Sequence, residues 1–217
     1  MNIANMRQKT IQRARQKITE QEYLQGELLS DIRHAYIDGE VYAMVEAHRH
    51  HNIIGGNIHT IFSNHLAGKP CQPYISDMKI KVANKYFYPD VMVDCSDDAQ
   101  DYYTENPTII VEVLSKSTRQ HDKTFKREAY FQIASLKEYV LIEQDFVEVE
   151  FWYRSLDQHW QQAVYYLGDN LTFESIGLTV AVEDIYQRVK NEDMLAWLEK
   201  KLQAQDTDNP TNDQPIR

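Results

Sequence analysis

The sequence has little cysteine, no long hydrophobic run and no excess of positive charge, and each absence argues against a class of protein. Its only cysteines, Cys71 and Cys95, show neither metal-site spacing nor a redox motif, so we expect reduced thiols in a cytoplasmic protein. No run of about 18 apolar residues occurs and no signal-peptide core opens the chain, so we expect neither membrane contact nor secretion. The net charge of −10 is unusual for a general nucleic-acid-binding protein, which ordinarily has a basic surface.

Length and charge distribution predict one domain between two polar ends. The 217 residues suffice for a full hydrophobic core without disulfide support. We assign residues 1–19 to a basic N-terminal arm, residues 20–202 to the domain, and residues 203–217, which contain almost nothing apolar, to a disordered tail. The arm either contacts phosphate groups or, as charged stretches more often do, forms a solvated helix face.

Two helices are predicted in the first half of the domain. Residues 17–29 carry a sparse apolar stripe, and residues 47–66 carry a fuller one with the spacing of a core-facing helix. Gly55 and Gly56 lie inside the second helix, where each lowers helix stability by about 1 kcal/mol. Their presence predicts close contact with a neighbouring backbone.

A hairpin and a strand pair are predicted beside these helices. The dipeptide Asp38-Gly39 between two short apolar runs is typical of a hairpin turn. Residues 73–82 alternate as a half-exposed strand, and a turn after them would pair them with residues 86–94. Pro89 cannot donate to a strand ladder, so we expect residues 86–94 to lie at a sheet edge or to bulge there.

Two apolar strands at the centre of the chain each carry one acidic residue. Residues 86–94 contain Asp90, and residues 107–115 contain Glu112. An unpaired ionised carboxylate in a buried strand costs several kcal/mol, roughly, even after the protein relaxes. The two acids must therefore be neutralised by a cation or take up a proton.

A charged helix follows the second of these strands. Ser117 and Gln120 have the spacing of a capping box, which predicts that the helix begins there. Asp122, Lys126 and Tyr130 are four residues apart and therefore share one face. Lys126 either forms an ordinary helix salt bridge with Asp122 or serves a site, and Tyr130 is expected mainly to pack.

The rest of the chain is predicted to contain three strands and two helices, without an internal repeat. The strands are residues 138–143, 147–153 and 160–166, and the helices are residues 182–186 and 194–202. The chain therefore combines predicted strands with predicted helices.

Several histidines precede or line the helix of residues 47–66. No cysteine, third ordered ligand or His-Glu-x-x-His pattern completes a zinc site with them, so capping and surface contacts are the better interpretation. His51 lies on the opening turn of the helix and is the one that we place at the margin of a site. The histidines are His48, His50, His51, His59 and His65.

Successive blocks of this sequence resemble the Uma family of restriction-endonuclease-like proteins, in the PD-(D/E)XK nuclease-like superfamily. The resemblance covers roughly residues 20–188 in the order of the family. It implies a mixed α/β (α+β) fold, with a restriction-endonuclease-like mixed β-sheet flanked by helices and an active site on two neighbouring central strands. The blocks are Tyr23-Leu24, residues 36–44, 88–94 and 111–118, the helix with Asp122, Lys126 and Tyr130, and residues 138–142.

The resemblance also implies a metal-dependent endonuclease that hydrolyses DNA. Asp90 and Glu112, with the main-chain carbonyl of Val113, would hold Mg²⁺ or Mn²⁺, cations that prefer oxygen ligands. Such sites normally carry a lysine two residues after the glutamate, where this chain has Leu114. Lys126 matches a migrated family lysine. Lys116, where the family usually has proline, is a weaker candidate.

Two other interpretations stay open. The chain could keep the nuclease fold without turnover and bind nucleic acid or a protein partner, which the missing strand lysine and the net negative charge favour. It could also be an unrelated scaffold whose acids are surface groups. A homodimer formed through exposed strand edges would suit double-strand cutting, but composition does not decide this.

Overall fold

The computed structural model describes residues 17–44, 48–96 and 101–208. Most of the predicted basic arm therefore lies outside the described residues. Within the described ranges, no helix is both long and apolar enough to cross a membrane. The chain folds into mixed sheets flanked by helices, so the predicted fold class is confirmed.

The N-terminal helix and hairpin form as predicted. Helix α1 spans Glu20–Glu27 and begins with a capping box, in which Thr19 and Glu22 bond each other's main-chain N–H groups. The hairpin pairs β1 (His34–Ile37) with β2 (Glu40–Ala43). Its two turn residues, Asp38 and Gly39, have φ values of 51° and 94°, as a tight hairpin turn with two left-handed residues requires.

Helix α2 spans Arg49–Leu66, close to the predicted range. It buries one apolar stripe against the largest core cluster of the protein. The prediction for Gly55 and Gly56 was wrong, because a Cβ atom added to either residue would meet no atom within 4 Å. The buried stripe consists of Ile54, Ile58, Phe62 and Leu66.

The two long strands predicted after α2 are each broken into two. The first becomes β3 (Gln72–Ile75) and β4 (Lys79–Val82), separated by a bend in which Ser76 has a φ of 58°. The second becomes β5 (Lys85–Phe87) and β6 (Val91–Asp94). The outer strands β3 and β6 pair in one sheet while the inner strands β4 and β5 pair in another.

Pro89 lies in the break between β5 and β6, where the chain passes from one sheet to the other. The prediction that this segment lies at a sheet edge was wrong for β6, which pairs with β3 on one side and β8 on the other. The interruption itself agrees with the expectation that proline disturbs the ladder.

The remaining elements follow in an order close to the prediction. Three consecutive segments form one helical stretch, which we call the lysine helix: α3 (Arg119–His121), a π-helical turn (Asp122–Lys126) and α4 (Arg127–Tyr130). The predicted capping box at Ser117 was wrong, because Thr118 occupies the N-cap position and its side chain makes no capping bond. The strands are β7 (Tyr103–Thr104), β8 (Pro107–Leu114), β9 (Glu138–Glu143), β10 (Val149–Arg154) and β11 (Trp160–Tyr165).

The C-terminal part contains one hairpin that the sequence did not predict. It pairs β12 (Asn170–Phe173) with β13 (Leu178–Ala181). Helix α5 (Val182–Ile185) and the terminal helix α6 (Glu192–Asp208) follow. Because α6 continues past residue 203, the tail that we expected to be disordered is helical up to residue 208, and its remainder lies outside the described residues.

The main sheet separates two layers of hydrophobic core. Its strand order is β11-β10-β9-β8-β6-β3, with β8 and β9 parallel and the other pairs antiparallel. Along β8, Ile109, Val111 and Val113 face the α2 layer, whereas Ile110 and Leu114 face the layer of the lysine helix. Glu112 has the parity of the second set, so it points to the lysine helix.

Cys71 and Cys95 form a disulfide, contrary to our expectation of two reduced thiols. The register of β3 with β6 explains the pairing. Gln72 lies opposite Asp94, so the preceding and following residues face each other one step farther along the ladder. The sequence predicted a different strand pairing, so the 24-residue separation of the two cysteines did not indicate that they are in contact.

Candidate active site

The register between β6 and β8 places the two strand acids side by side. Val91 lies opposite Val111, so Asp90 and Glu112 are the next facing positions along the same ladder. The main-chain N–H of Val113 donates a hydrogen bond of 2.7 Å to Asp90 Oδ2. Asp90 is the last residue of the break between β5 and β6, and this hydrogen bond holds it against the neighbouring strand β8.

Helix α2 supplies a second contact to Asp90. His51 Nε2 lies 3.2 Å from Asp90 Oδ2, and both side chains are largely buried. Burial lowers the pKa of His51, but the hydrogen bond and the negative charge of Asp90 outweigh it, so the pKa lies above its ordinary value. The structure therefore brings His51 to the site, as the sequence suggested.

Glu112 is buried beneath the lysine helix. Its Oε1 atom accepts hydrogen bonds from Lys126 Nζ at 2.9 Å and from Tyr130 Oη at 3.0 Å. Burial raises the pKa of Glu112 to about 8, even though the Lys126 ammonium group opposes the shift. The carboxyl group therefore keeps its proton up to a higher pH than a solvent-exposed glutamate, and a cation that binds it near neutral pH must displace that proton.

Lys126 lies between two carboxylates. Besides Glu112, its Nζ atom lies 3.0 Å from Asp122 Oδ1, an ion-pair distance without good hydrogen-bond geometry. Burial lowers the pKa of Lys126, but the charges of Glu112, Asp122 and Asp90 raise it above its ordinary value. The amine therefore stays protonated inside the site.

The π-helical turn carries this arrangement. Asp122 begins the turn and Lys126 ends it. Such turns occur frequently at functional sites because they shift side chains relative to an α-helix. Leu114, at the position of the usual strand lysine, is fully buried in the core on the same face of the sheet. The helix amine therefore takes the place beside Glu112 that Leu114 cannot fill.

Each of the two strand acids has one carboxylate oxygen without a hydrogen-bond partner in the described part of the chain. Among the described residues, no hydrogen bond reaches the second oxygens, Asp90 Oδ1 and Glu112 Oε2. The described ranges also contain no group of three or more His, Cys, Asp and Glu side chains that could hold a metal ion. Two carboxylates completed by main-chain oxygen and water nevertheless suit Mg²⁺, which keeps several waters when it binds.

Other predicted residues fall outside the site. Lys116 is exposed and forms no ion pair within the described part of the chain. His48 caps α2 through a long contact of 3.4 Å with the N–H of His50, and His65 bonds the carbonyl oxygen of Ile176. These contacts agree with the interpretation of the histidines as capping and surface residues.

Sequence reasoning missed the contribution of Asp122. We had treated it only as a helix salt-bridge partner, but it is 1% exposed and lies against the amine that contacts Glu112. The four-residue spacing to Lys126 was the available signal. What the spacing could not show was that this helix face is buried against β8.

Fold and site together define a protein of the restriction-endonuclease-like class. The crystal structure of "a putative nuclease belonging to DUF820" from Anabaena variabilis superposes on this fold with a TM-score of 0.67. It shares 14% sequence identity and covers 80% of this chain and 99% of its own, so it shows the fold alone.

The chain belongs to the Uma2 family, whose model, described as "Putative restriction endonuclease", matches residues 20–183. Two Synechocystis proteins are also similar. The uncharacterized protein slr1290 is 36% identical over 79% of this chain and 92% of its own length. The uncharacterized protein sll1609 is 33% identical over 66% of this chain and 84% of its own length. The resemblance found in the sequence is thereby confirmed.

Proposed function

We propose that this protein is a metal-dependent endonuclease that hydrolyses phosphodiester bonds in DNA. The observation that carries the proposal is the pairing of Asp90 and Glu112 on adjacent strands, each with one oxygen that no described residue contacts. A protonated amine lies beside them, where a negatively charged phosphate would bind. Family membership supports this chemistry.

Asp90 and Glu112, with the main-chain carbonyl of Val113, would hold Mg²⁺ or Mn²⁺. The bound ion would polarise the phosphodiester and lower the pKa of an attacking water. The contacts of Val113 N–H and His51 orient Asp90, and that of Tyr130 orients Glu112.

Lys126 contributes a positive charge that neither strand supplies. Its Nζ atom stays protonated between Glu112 and Asp122, so it can donate a hydrogen bond to a phosphate oxygen as negative charge develops there. Asp122 would keep the amine in place when Glu112 engages a cation. In this scheme Lys126 contacts the substrate, and Asp122 holds Lys126 in position.

Cleavage of plasmid DNA by the purified full chain tests the proposal. We expect nicking or linearisation in Mg²⁺ or Mn²⁺, none in EDTA, and none by Asp90→Ala or Glu112→Ala. Glu128→Ala is the matched control, because Glu128 is an exposed acid on the lysine helix. Its activity should equal that of the wild type.

Unchanged cleavage in both site variants would contradict the assignment of this site. Metal-dependent DNA binding without cleavage would instead favour the alternative of a nuclease fold that binds nucleic acid without turnover. Leu114 stands where such sites normally carry a strand lysine, and this substitution is the sequence feature that favours the alternative.

A further inference from the structure

A groove lies between the first turn of α2, helix α5 and helix α6. Its volume is about 710 Å³, within the range of roughly 300–1,000 Å³ that is usual for ligand pockets. Apolar side chains form much of its lining, and we call it the α2–α6 groove. They are Ile53, Val189, Met194, Leu195 and Leu198.

Two buried polar atoms in this groove have no partner among the described residues. One is Trp197 Nε1, an N–H donor, and the other is Glu183 Oε2, an acceptor. Lys201 Nζ lies 3.6 Å from the other oxygen of Glu183, so only one side of that carboxylate is engaged. Buried polar groups are nearly always hydrogen-bonded, so these two atoms have unused hydrogen-bonding capacity, one as a donor and one as an acceptor.

The charge of the groove is opposite to that of the whole chain. Four lining residues are basic and two are acidic, a net charge of +2 in a protein of −10. Arg49, Arg188 and Lys190 are exposed along its rim. A local positive surface on an acidic protein favours an anionic partner.

Helix α2 contributes residues both to the groove and to the candidate active site. Arg49 and His51 both lie on the first turn of α2, and His51 contacts Asp90. At the opposite wall, Arg188 has a φ of 68°, an uncommon conformation for a residue with a side chain. Such conformations persist at functional sites when the surrounding structure holds them.

We propose that the α2–α6 groove binds a strand of the nucleic-acid substrate, an inference that rests on the proposed function. Phosphate groups contact Arg49, Arg188 and Lys190, and an unpaired base edge contacts Glu183 and Trp197. A phosphodiester group supplies only acceptors, whereas a base edge supplies both the donor that Glu183 lacks and the acceptor that Trp197 lacks. The apolar lining accommodates the base and the sugar.

Fluorescence anisotropy in EDTA tests the inference without cleavage, with a labelled 20-nucleotide single strand and its duplex as probes. The double variant Arg188→Gln/Lys190→Gln should reduce the slope of log affinity against log salt by about 2, since two phosphate contacts are lost. The matched control is Lys69→Gln/Lys200→Gln, which removes the same charge from exposed residues outside the groove. Its salt slope should change by much less.

Trp197→Phe separates base contact from charge. It removes the N–H but keeps an aromatic ring, and we expect roughly fivefold weaker binding of the single strand, the effect of one hydrogen bond, with little change for the duplex. Thermal unfolding identical to wild type shows that the variant is folded. A variant that is not identical is replaced by Glu183→Gln, in which loss of the negative charge strengthens binding of both probes, and we expect a smaller gain for the single strand because it loses a charged hydrogen-bond acceptor.

Equal salt slopes for the groove variant and its control would overturn the inference, as would absence of wild-type binding to both probes. Parallel cleavage assays in Mn²⁺ keep the two claims apart. If the protein cleaves DNA and the groove variants bind the probes as the wild type does, only the groove assignment is overturned. If the wild type does not cleave DNA, the proposed function is contradicted.

Discussion

Two acidic clusters lie against the same helix, and they differ in how completely their carboxylates are bonded. In the candidate site, Asp90 and Glu112 each keep one oxygen that no described residue contacts. The second cluster, which we call the clasp, consists of Arg119 and Lys123 of the lysine helix with Glu143 and Glu150 of the sheet. Its acids are also buried.

The clasp is fully bonded. Arg119 Nε donates to both oxygens of Glu143, at 2.7 and 3.0 Å. Glu150 receives Trp152 Nε1 on one oxygen and Lys123 Nζ at 3.0 Å on the other. Bidentate arginine pairs of this kind fix geometry, so the clasp anchors the helix to β9 and β10.

This difference in bonding indicates a structural role for the clasp and a chemical role for the candidate site. Buried acids that are saturated by arginine and lysine have no capacity for another cation. The site has the same charge type and the same helix, yet all the hydrogen bonds and ion pairs of its two strand acids go to one oxygen of each carboxylate. We infer that the clasp holds the helix in place so that Lys126 reaches Glu112.

Breaking the clasp should cause the largest effect on stability. Arg119→Met leaves Glu143 buried without its guanidinium partner, and we expect the free energy of unfolding to fall by about 3 to 5 kcal/mol. Urea unfolding measures this change. Lys116→Met, at an exposed position nearby, should change it by no more than about 0.5 kcal/mol. Equal effects of the two variants would show that the clasp does not anchor the helix.

Removing the site amine should affect turnover instead. We expect Lys126→Met to lower the rate of DNA cleavage by about 10²- to 10³-fold, the usual cost of losing one electrostatic contact to the reacting group. Mn²⁺ affinity, measured by calorimetry, should be retained, because the carboxylates are still present. Wild-type cleavage by this variant would mean that Lys126 is only a salt-bridge residue.

The pH dependence of metal binding sharpens the comparison further. Because burial raises the pKa of Glu112 to about 8, a cation must displace a proton below that pH. Mn²⁺ affinity should therefore rise about tenfold per pH unit between pH 6 and 8 and then level off. A flat profile over this range would contradict the role of Glu112, and Glu143→Gln in the clasp should leave the profile unchanged.

The same shift predicts a sign for stability without metal. The folded-state pKa of Glu112 lies above its ordinary value of 4.5, so its contribution to stability is complete below that value and is lost as pH rises through about 8. Glu112→Gln should flatten this part of the stability profile. Chemical unfolding between pH 4 and 9 measures it, and an unchanged slope would contradict the assignment.

The smallest effect is expected at Tyr130. Tyr130→Phe removes the hydrogen bond to Glu112 but keeps the ring packing with Phe87 and Tyr139. The loss of about 1 kcal/mol should slow cleavage about fivefold. Tyr153→Phe, which loses a contact to Gln161 outside the site, serves as the control. Equal rates for both variants would leave Tyr130 with a packing role alone.

Local patterns in the sequence predicted most elements of the fold. The apolar run within residues 138–143 became β9 with the predicted bounds, and Asp38-Gly39 formed the expected turn. These local patterns failed where pairing between strands determines the structure. The β3–β6 and β4–β5 pairs belong to two sheets, and neither alternation nor the proline signal states where a chain changes sheet.

The candidate site was predictable residue by residue but not in its contacts. Asp90 and Glu112 stand out because acids are rare in buried strands. The pairing of Lys126 with both Glu112 and Asp122 depends on the π-helical turn, which no spacing rule in the sequence announces. The disulfide likewise depends on register, so it appears only when the strands are placed.

Anomalous diffraction from crystals soaked in Mn²⁺ tests the central claim most directly. The account predicts one strong peak between the Asp90 and Glu112 carboxylates, absent in crystals of Glu112→Gln, and no peak at the clasp. Wild-type crystals without a peak at these two side chains, or with the peak at Glu143 and Glu150 instead, would contradict it.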